Sequence, residues 1–175
     1  VGTRVPIRAL ARRMITRSSN LATNTMVAVL GAEQINATAR KLGVTRSLVL
    51  RGVEDQKAFD RGMNNTMTAR DLATLFAALE RRQVAGEADT RDMLDILLAQ
   101  EFNEKIPAGL PPGTKVAHKT GEITAVSHDG GIVYPAGRAP YVIVVLTRGV
   151  RNGRDSAALI ADISRIVYGY ATGAP

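Results

Sequence analysis

Cysteine and tryptophan are both absent from this 175-residue chain, and its seven other aromatics are four tyrosines and three phenylalanines. Without cysteine there are no disulfides, no thiol nucleophile and no thiolate metal ligands. Two histidines in no recognisable ligand spacing leave little basis for a structural metal, and no motif implies a cofactor. Long hydrophobic runs are missing too. The longest, "YVIVVL" at residues 141 to 146, has the length of a strand, far below the roughly 18 apolar residues of a membrane span. Residues 1 to 14 are amphipathic and basic, with no continuous apolar core and no small-residue cleavage site, so they do not read as a signal peptide. The chain has no initiator Met and turns helical almost at once. We expect a piece of a longer polypeptide.

Lys and Arg number 23 against 16 Asp and Glu, a net charge of +7. Such an excess draws nucleic acids, anionic surfaces or carboxylate substrates. The charge is diffuse, however, with "RGVRNGR" at 148 to 154 the densest cluster. With aromatics at 4%, base stacking has few candidates. A basic nucleic-acid binder, or a catalytically silent binding module, is therefore retained only as an alternative of another class. The 45% hydrophobic content is enough for one compact core.

The periodicity predicts helices first. Pro6 suits a first helical turn, and Ile7, Leu10, Ala11, Met14 and Ile15 share one face of a helix over 6–17. Ser18-Ser19-Asn20 interrupts it, because short polar side chains compete for backbone hydrogen bonds and favour caps. A second helix is expected from Asn20 to Leu30, ended by Gly31, and a third is stopped at Gly43. Residues 45–67 lose all period and read as a long loop whose Val, Leu, Phe and Met pack it down. Thr68 opens a helix through a capping box with Asp71 in the return position, and another helix covers 89–100.

Beyond "PAGLPPGT" at 107 to 114 the pattern turns to strands: 115–122, 130–134 and 141–147, the last two joined by "PAGRAP". A closing helix over 154–170 should cover one face of the sheet. The layout is α+β. It forms a single domain over 1–175, mainly helical to residue 107 and sheet plus helix from 108.

Two motifs carry chemistry. "MITRSSNLATN" at 14 to 24 holds Ser18-Ser19-Asn20, and "VAHKTGEI" at 116 to 123 holds Lys119-Thr120-Gly121. Each alone is ordinary: a helix corner with cap residues, and a strand that ends in Gly. Together and in this order they resemble the S-D-N and K-T-G signatures, second and third after S-x-x-K, of serine β-lactamases and penicillin-binding proteins, most closely class A. "NNTMTARDLATL" resembles the segment that leaves the family's omega loop, so the likeness runs along essentially the whole chain.

The resemblance implies an α+β β-lactamase fold, incomplete at the N-terminus, and a serine hydrolase acting on a β-lactam or related acyl compound through a covalent acyl-enzyme. It assigns roles residue by residue. Ser18 would relay a proton to the leaving nitrogen, and Lys119 beside it would keep a positive potential. Asn20 would meet the substrate's acylamino carbonyl. Thr120, with Lys119, would hold its carboxylate, and the backbone N–H of Glu122 would give half of an oxyanion hole. Gly121 would let a substrate lie close along the strand. Glu54, inside "RGVEDQKAF", falls at the spacing from Asn20 that the family's deacylating Glu keeps. Gly52 and Ala58 occupy the flanking positions of the family pattern, and Asp55 is a rival base.

Ser19 stands where the family has Asp. His118 either tunes the neighbouring Lys or is simply packed, and Arg148 and Arg151 are either carboxylate partners or exposed basic residues. No S-x-x-K precedes Ser18, which has only 17 residues before it. The nucleophile would lie in a missing N-terminal segment or on a second chain, and the 175 residues alone would be inactive. A penicillin-binding peptidase or esterase with slow deacylation is the close alternative. By family resemblance the protein would work in the periplasm or be secreted.

Overall fold

The computed structural model describes residues 2–150 and 152–173. Helix α1 (Ile7–Thr16) follows Pro6, which sits outside it as the N-cap, and α2 (Asn20–Leu30) starts after a three-residue corner. Gly31, at φ 77°, ends α2 and leads into α3 (Ala32–Lys41). Helices α5 (Ala69–Glu80) and α6 (Glu87–Leu98) follow a long loop that contains the short α4 (Gln56–Asp60). A 3-10 turn at Ile106–Gly109 precedes β1 (Lys115–Ile123), β2 (Val126–Tyr134), β3 (Tyr141–Arg148) and α7 (Gly153–Thr172).

The strands form one antiparallel sheet in the order β1-β2-β3. Strand alternation divides the core into two layers. Ala117 and Ile132 face Phe76 and Leu79 of α5 and Leu97 of α6. Val116, Val133 and Ile143 face Ile106 of the 3-10 turn and Ile160 of α7. Ile160 has no exposure, and burying such a side chain contributes roughly 2 kcal/mol.

β2 begins four residues earlier than the sequence pattern predicts. Its first half, Ser127 to Asp129, is polar yet buries Ser127 and Asp129, so it lacks the apolar signal of a strand. The turn before it, Thr124-Ala125, also lacks a glycine: Ala125 itself takes φ 58°.

The loop at 45–67 meets the expectation of apolar packing only in part: Leu48, Val49, Val53 and Met63 are half-buried. Leu50, Phe59 and Met67 are 40%, 48% and 55% exposed. Polar side chains also clamp its backbone. The carboxylate of buried Asp71 accepts from the N–H groups of Thr45, Arg46 and Ser47 and from the Ser47 hydroxyl. Burial raises the Asp71 pKa, but these hydrogen bonds outweigh that and hold it well below the usual carboxylate range. The capping box is thus only half made: Thr68 Oγ1 accepts from Asp71 N–H, while Thr68 N–H donates to Ser47. Asn36 closes both backbone groups of Val49, and the Asn65 side chain bonds Leu50 and Arg51.

β3 leaves its outer edge unpaired among the described residues. Leu159, Ile166 and Tyr170 of α7 are 44%, 66% and 92% exposed, an apolar stripe that no described residue covers.

Candidate functional site

The α1–α2 corner is built by local chemistry. Ser19 is the N-cap of α2 and its Oγ accepts from Ala22 N–H at 3.3 Å, so the residue standing in place of the family Asp serves as a helix cap. Ser18 before it takes a left-handed φ of 50° and is exposed, at a cost of about 1 kcal/mol for a residue with a Cβ. Contacts from beyond α6 hold the end of α1. Gln100 Nε2 donates to Ile15 O at 2.8 Å, Glu101 N–H donates to Thr16 O, and Arg17 pairs with Glu101.

Across this corner lies Lys119. Its Nζ donates to Ser18 Oγ at 2.5 Å and to Thr120 O at 2.5 Å. Burial lowers its pKa to about 8; Asp129 opposes that shift and Lys105 reinforces it. The two motifs, a hundred residues apart in sequence, therefore meet in a direct hydrogen bond. With an ammonium donating to its oxygen, the Ser18 hydroxyl hydrogen is left to donate outward.

β1 is an edge strand, so alternate backbone groups on its open side lack a strand partner. Thr120 is buried on it and Gly121 follows. A Cβ at Gly121 would meet only His128 side-chain atoms, at 3.8 Å and beyond. Nothing in this chain forces glycine there; the open space is what a molecule laid along the strand would use. Asn20 is exposed at the first position of α2.

Lys105 belongs to this site and no sequence signal marked it. Its side chain is 2% exposed, with Nζ 3.5 Å from His128 O and 3.9 Å from Glu122 Oε2. An ammonium has three N–H donors, and among the described residues one backbone acceptor lies within hydrogen-bond range. Lys105 is a lone Lys before a Pro-Gly stretch, and only the fold carries it beneath the outer end of β1.

The loop reaches the site through Asn24, one turn after Asn20. Its side chain accepts from Val53 N–H at 2.7 Å and donates to Val53 O at 3.0 Å. A Cβ at Gly52 would lie 2.6 Å from Asn24 Oδ1, so the clamp and glycine depend on each other. Glu54 follows immediately, exposed at φ 61°, and its carboxylate has no hydrogen-bond partner among the described residues. Asp55 is committed elsewhere: it caps α4, accepting from Ala58 N–H at 3.0 Å. Replacing Asn24 with Ala removes both bonds and leaves two backbone groups to find other partners, about 2 kcal/mol. Hydrogen exchange should rise across residues 45–67 and not in β2.

His118 is fully buried against Asp129. Arg148 is exposed, and Arg151 lies outside the described residues. Among the described residues no group of His, Asp and Glu could hold a metal ion.

A family model described as the beta-lactamase enzyme family matches residues 1–171. β-lactamase AST-1 of Nocardia asteroides is 35% identical over 95% of this chain and 56% of its own length. A β-lactamase of Streptomyces albus G is 28% identical over 92% of this chain and 53% of its own length. Among solved structures, PBP-A superposes with a TM-score of 0.88 at 30% identity, covering 98% of this chain and 63% of that one. The β-lactamase of Sphaerobacter thermophilus gives 0.91 at 25% identity, covering 99% and 66%.

The helical layer and the edge of the antiparallel sheet bring the Ser-x-Asn corner against the Lys-Thr-Gly strand, as two of the three motifs of the β-lactamase and penicillin-binding protein fold are arranged. This chain belongs to the β-lactamase enzyme family, matched from residue 1 to 171. It spans about half the length of the curated relatives it matches.

Proposed function

We propose that the complete protein is a class A-like serine β-lactamase that opens β-lactams through a covalent acyl-enzyme, with the nucleophilic Ser and its Lys contributed by a segment outside these 175 residues. The observation that carries this reading is the 2.5 Å hydrogen bond from Lys119 Nζ to Ser18 Oγ at the edge of β1. The nucleophile adds to the lactam carbonyl, whose oxygen takes up negative charge next to the Glu122 N–H. The proton that the nucleophile gives up to the Lys of its own segment replaces the one that Ser18 passes to the departing nitrogen as the C–N bond breaks, and Lys119 stays an ammonium beside Ser18. Lys119 and Thr120 supply the positive, hydrogen-bonding surface for the substrate carboxylate, and Asn20 meets the acylamino group. Glu54 activates the water that hydrolyses the ester. The unpaired edge of β3 and the apolar stripe on α7 are where the remainder of the domain seats. As in the family resemblance, its place of work is the periplasm or the exterior.

One observation favours slower turnover. Glu54 has no partner to orient it, and Gly52 and Ala58 flank it. This supports the second reading, a penicillin-binding enzyme that acylates and then stalls. Nitrocefin absorbance and intact mass of the complete protein separate the readings. Sustained turnover identifies a β-lactamase, whereas a burst with a persistent adduct identifies the stalled enzyme. Absence of any adduct overturns both and leaves a silent binding module.

The Lys119 pKa adds a pH signature. Its ammonium is present below about pH 8 and is lost as pH rises through that value, so the acylation rate should fall on the alkaline side with a midpoint near 8.

A further inference from the structure

Beneath Lys119, on the opposite face of β1, His118 and Asp129 are 1% and 0% exposed. The His118 Nδ1 lies 3.0 and 3.2 Å from the two Asp129 carboxylate oxygens, and its Nε2 lies 3.2 Å from Asn103 Oδ1. The Asn103 amide has a fixed direction. Its Nδ2 donates to Gln100 O at 3.2 Å, which turns its oxygen toward the ring. Gln100 is fixed in turn, because its Oε1 accepts from Glu101 and Phe102 N–H while its Nε2 donates to Ile15 O. On the other side, Asp129 Oδ2 accepts from Ile106 N–H at 3.0 Å. Both ring nitrogens of His118 therefore face acceptors, and a nitrogen that faces an acceptor must bring a hydrogen.

We infer that His118 carries protons on both ring nitrogens and, as an imidazolium paired with Asp129, is a positioning residue that joins the Lys119 strand to the Ser18 corner. The connection is continuous: Ile15 O, Gln100, Asn103, His118, Asp129 and Ile106 N–H run from three residues before Ser18 to the residue after Lys105. Asp129 comes from β2, Lys105 and Asn103 from the segment before the 3-10 turn, and Lys119 from β1 itself. One carboxylate thus balances an imidazolium and favours the charged form of Lys119. Removing either half of a buried pair leaves the other uncompensated. The effect of Asp129 on Lys119 is to favour its charged form, and the effect of Lys105 is the reverse. This inference relies on the acyl-transfer reading only for what Lys119 does there. The proton count stands apart from it.

The test is nitrogen NMR of the complete folded protein with 15N-labelled histidine, which needs no β-lactam. Both His118 nitrogens are expected at N–H-type frequencies with directly bonded hydrogens. In D129N, Nε2 keeps its hydrogen toward Asn103 and Nδ1 moves to the unprotonated frequency, now accepting from the new amide. The lysine signal of Lys119 should titrate at higher pH in H118Q, where Asp129 loses its pair, and should move less in D129N, where the carboxylate and the imidazolium charge disappear together. An unprotonated Nδ1 in the unsubstituted protein places the hydrogen on Asp129 or nowhere, and overturns the inference without recourse to a variant. A Lys119 titration unmoved in both folded variants overturns the positioning role. Loss of β-lactam reactivity with the nitrogen spectrum as expected would instead count against the proposed function alone.

Discussion

Gly131→Ala is expected to destabilise the protein by about 3 kcal/mol, the upper end of what overpacking a core costs. Gly131 sits in the central strand β2 directly opposite His118 of β1. A methyl group there would lie 2.5 Å from Ala117 O and from His118 Cβ, and 2.8 Å from His118 Cα. Two of these three are main-chain atoms of the neighbouring strand, so no rotamer change relieves them. β1 has to move away from β2, and it is the strand that carries Lys119. Gly130→Ala provides the contrast. Its methyl meets only side-chain atoms, of Leu72, Val144 and Phe76 at 3.1 to 3.3 Å, which can yield by a few tenths of an ångström for about 1 kcal/mol. Urea midpoints of the two variants, measured at equal protein concentration, check the order. A Gly131→Ala midpoint no lower than that of Gly130→Ala would contradict the packing of β1 on β2.

The largest effect on activity is expected at Ser18. In the complete protein, Ser18→Ala should slow acylation by about 10²- to 10⁴-fold, the usual worth of a positioned proton donor, with little change in thermal stability. The reason for the separation is geometric. Ser18 is exposed and already pays the left-handed φ that alanine would also adopt. The substitution therefore removes the hydroxyl and its bond to Lys119 without new backbone strain. Stopped-flow acylation by nitrocefin, read together with a thermal melt, tests both halves. A variant that acylates at the original rate would remove Ser18 from the proton path.

Much of the fold was legible because its elements carry strong local signals. Pro6, Gly31, Thr68 and the 3-and-4 apolar spacing set the helices near their observed bounds, and "PAGRAP" set the β2–β3 connection. The early half of β2 was not legible, since Ser127 and Asp129 are buried polar residues and Ala125 does the work a turn glycine would announce. The loop at 45–67 follows its composition in part, with Leu48, Val49, Val53 and Met63 half-buried but Leu50, Phe59 and Met67 exposed. Its apolar residues suggested packing, and Asn24, Asn36, Asn65 and Asp71 also hold it by its backbone. A sequence does not state which N–H an amide side chain will reach 29 residues away, as Asn24 does at Val53.

The candidate site divides along the same line. Sequence alone determined the α+β order, the Ser-Ser-Asn corner and the Lys-Thr-Gly strand, because caps, periodicity and short motifs are properties of neighbours along the chain. Only the tertiary structure decided that Lys119 donates to Ser18, that Asp55 is spent as a cap while Glu54 stays unpartnered, and that Lys105 and the His118–Asp129 pair lie under the strand. Those facts depend on which faces the sheet turns toward α5, α7 and the α1–α2 corner. That arrangement is fixed by burying Ile132 on one side and Val133 on the other, a balance of long-range packing that no local stretch of residues contains.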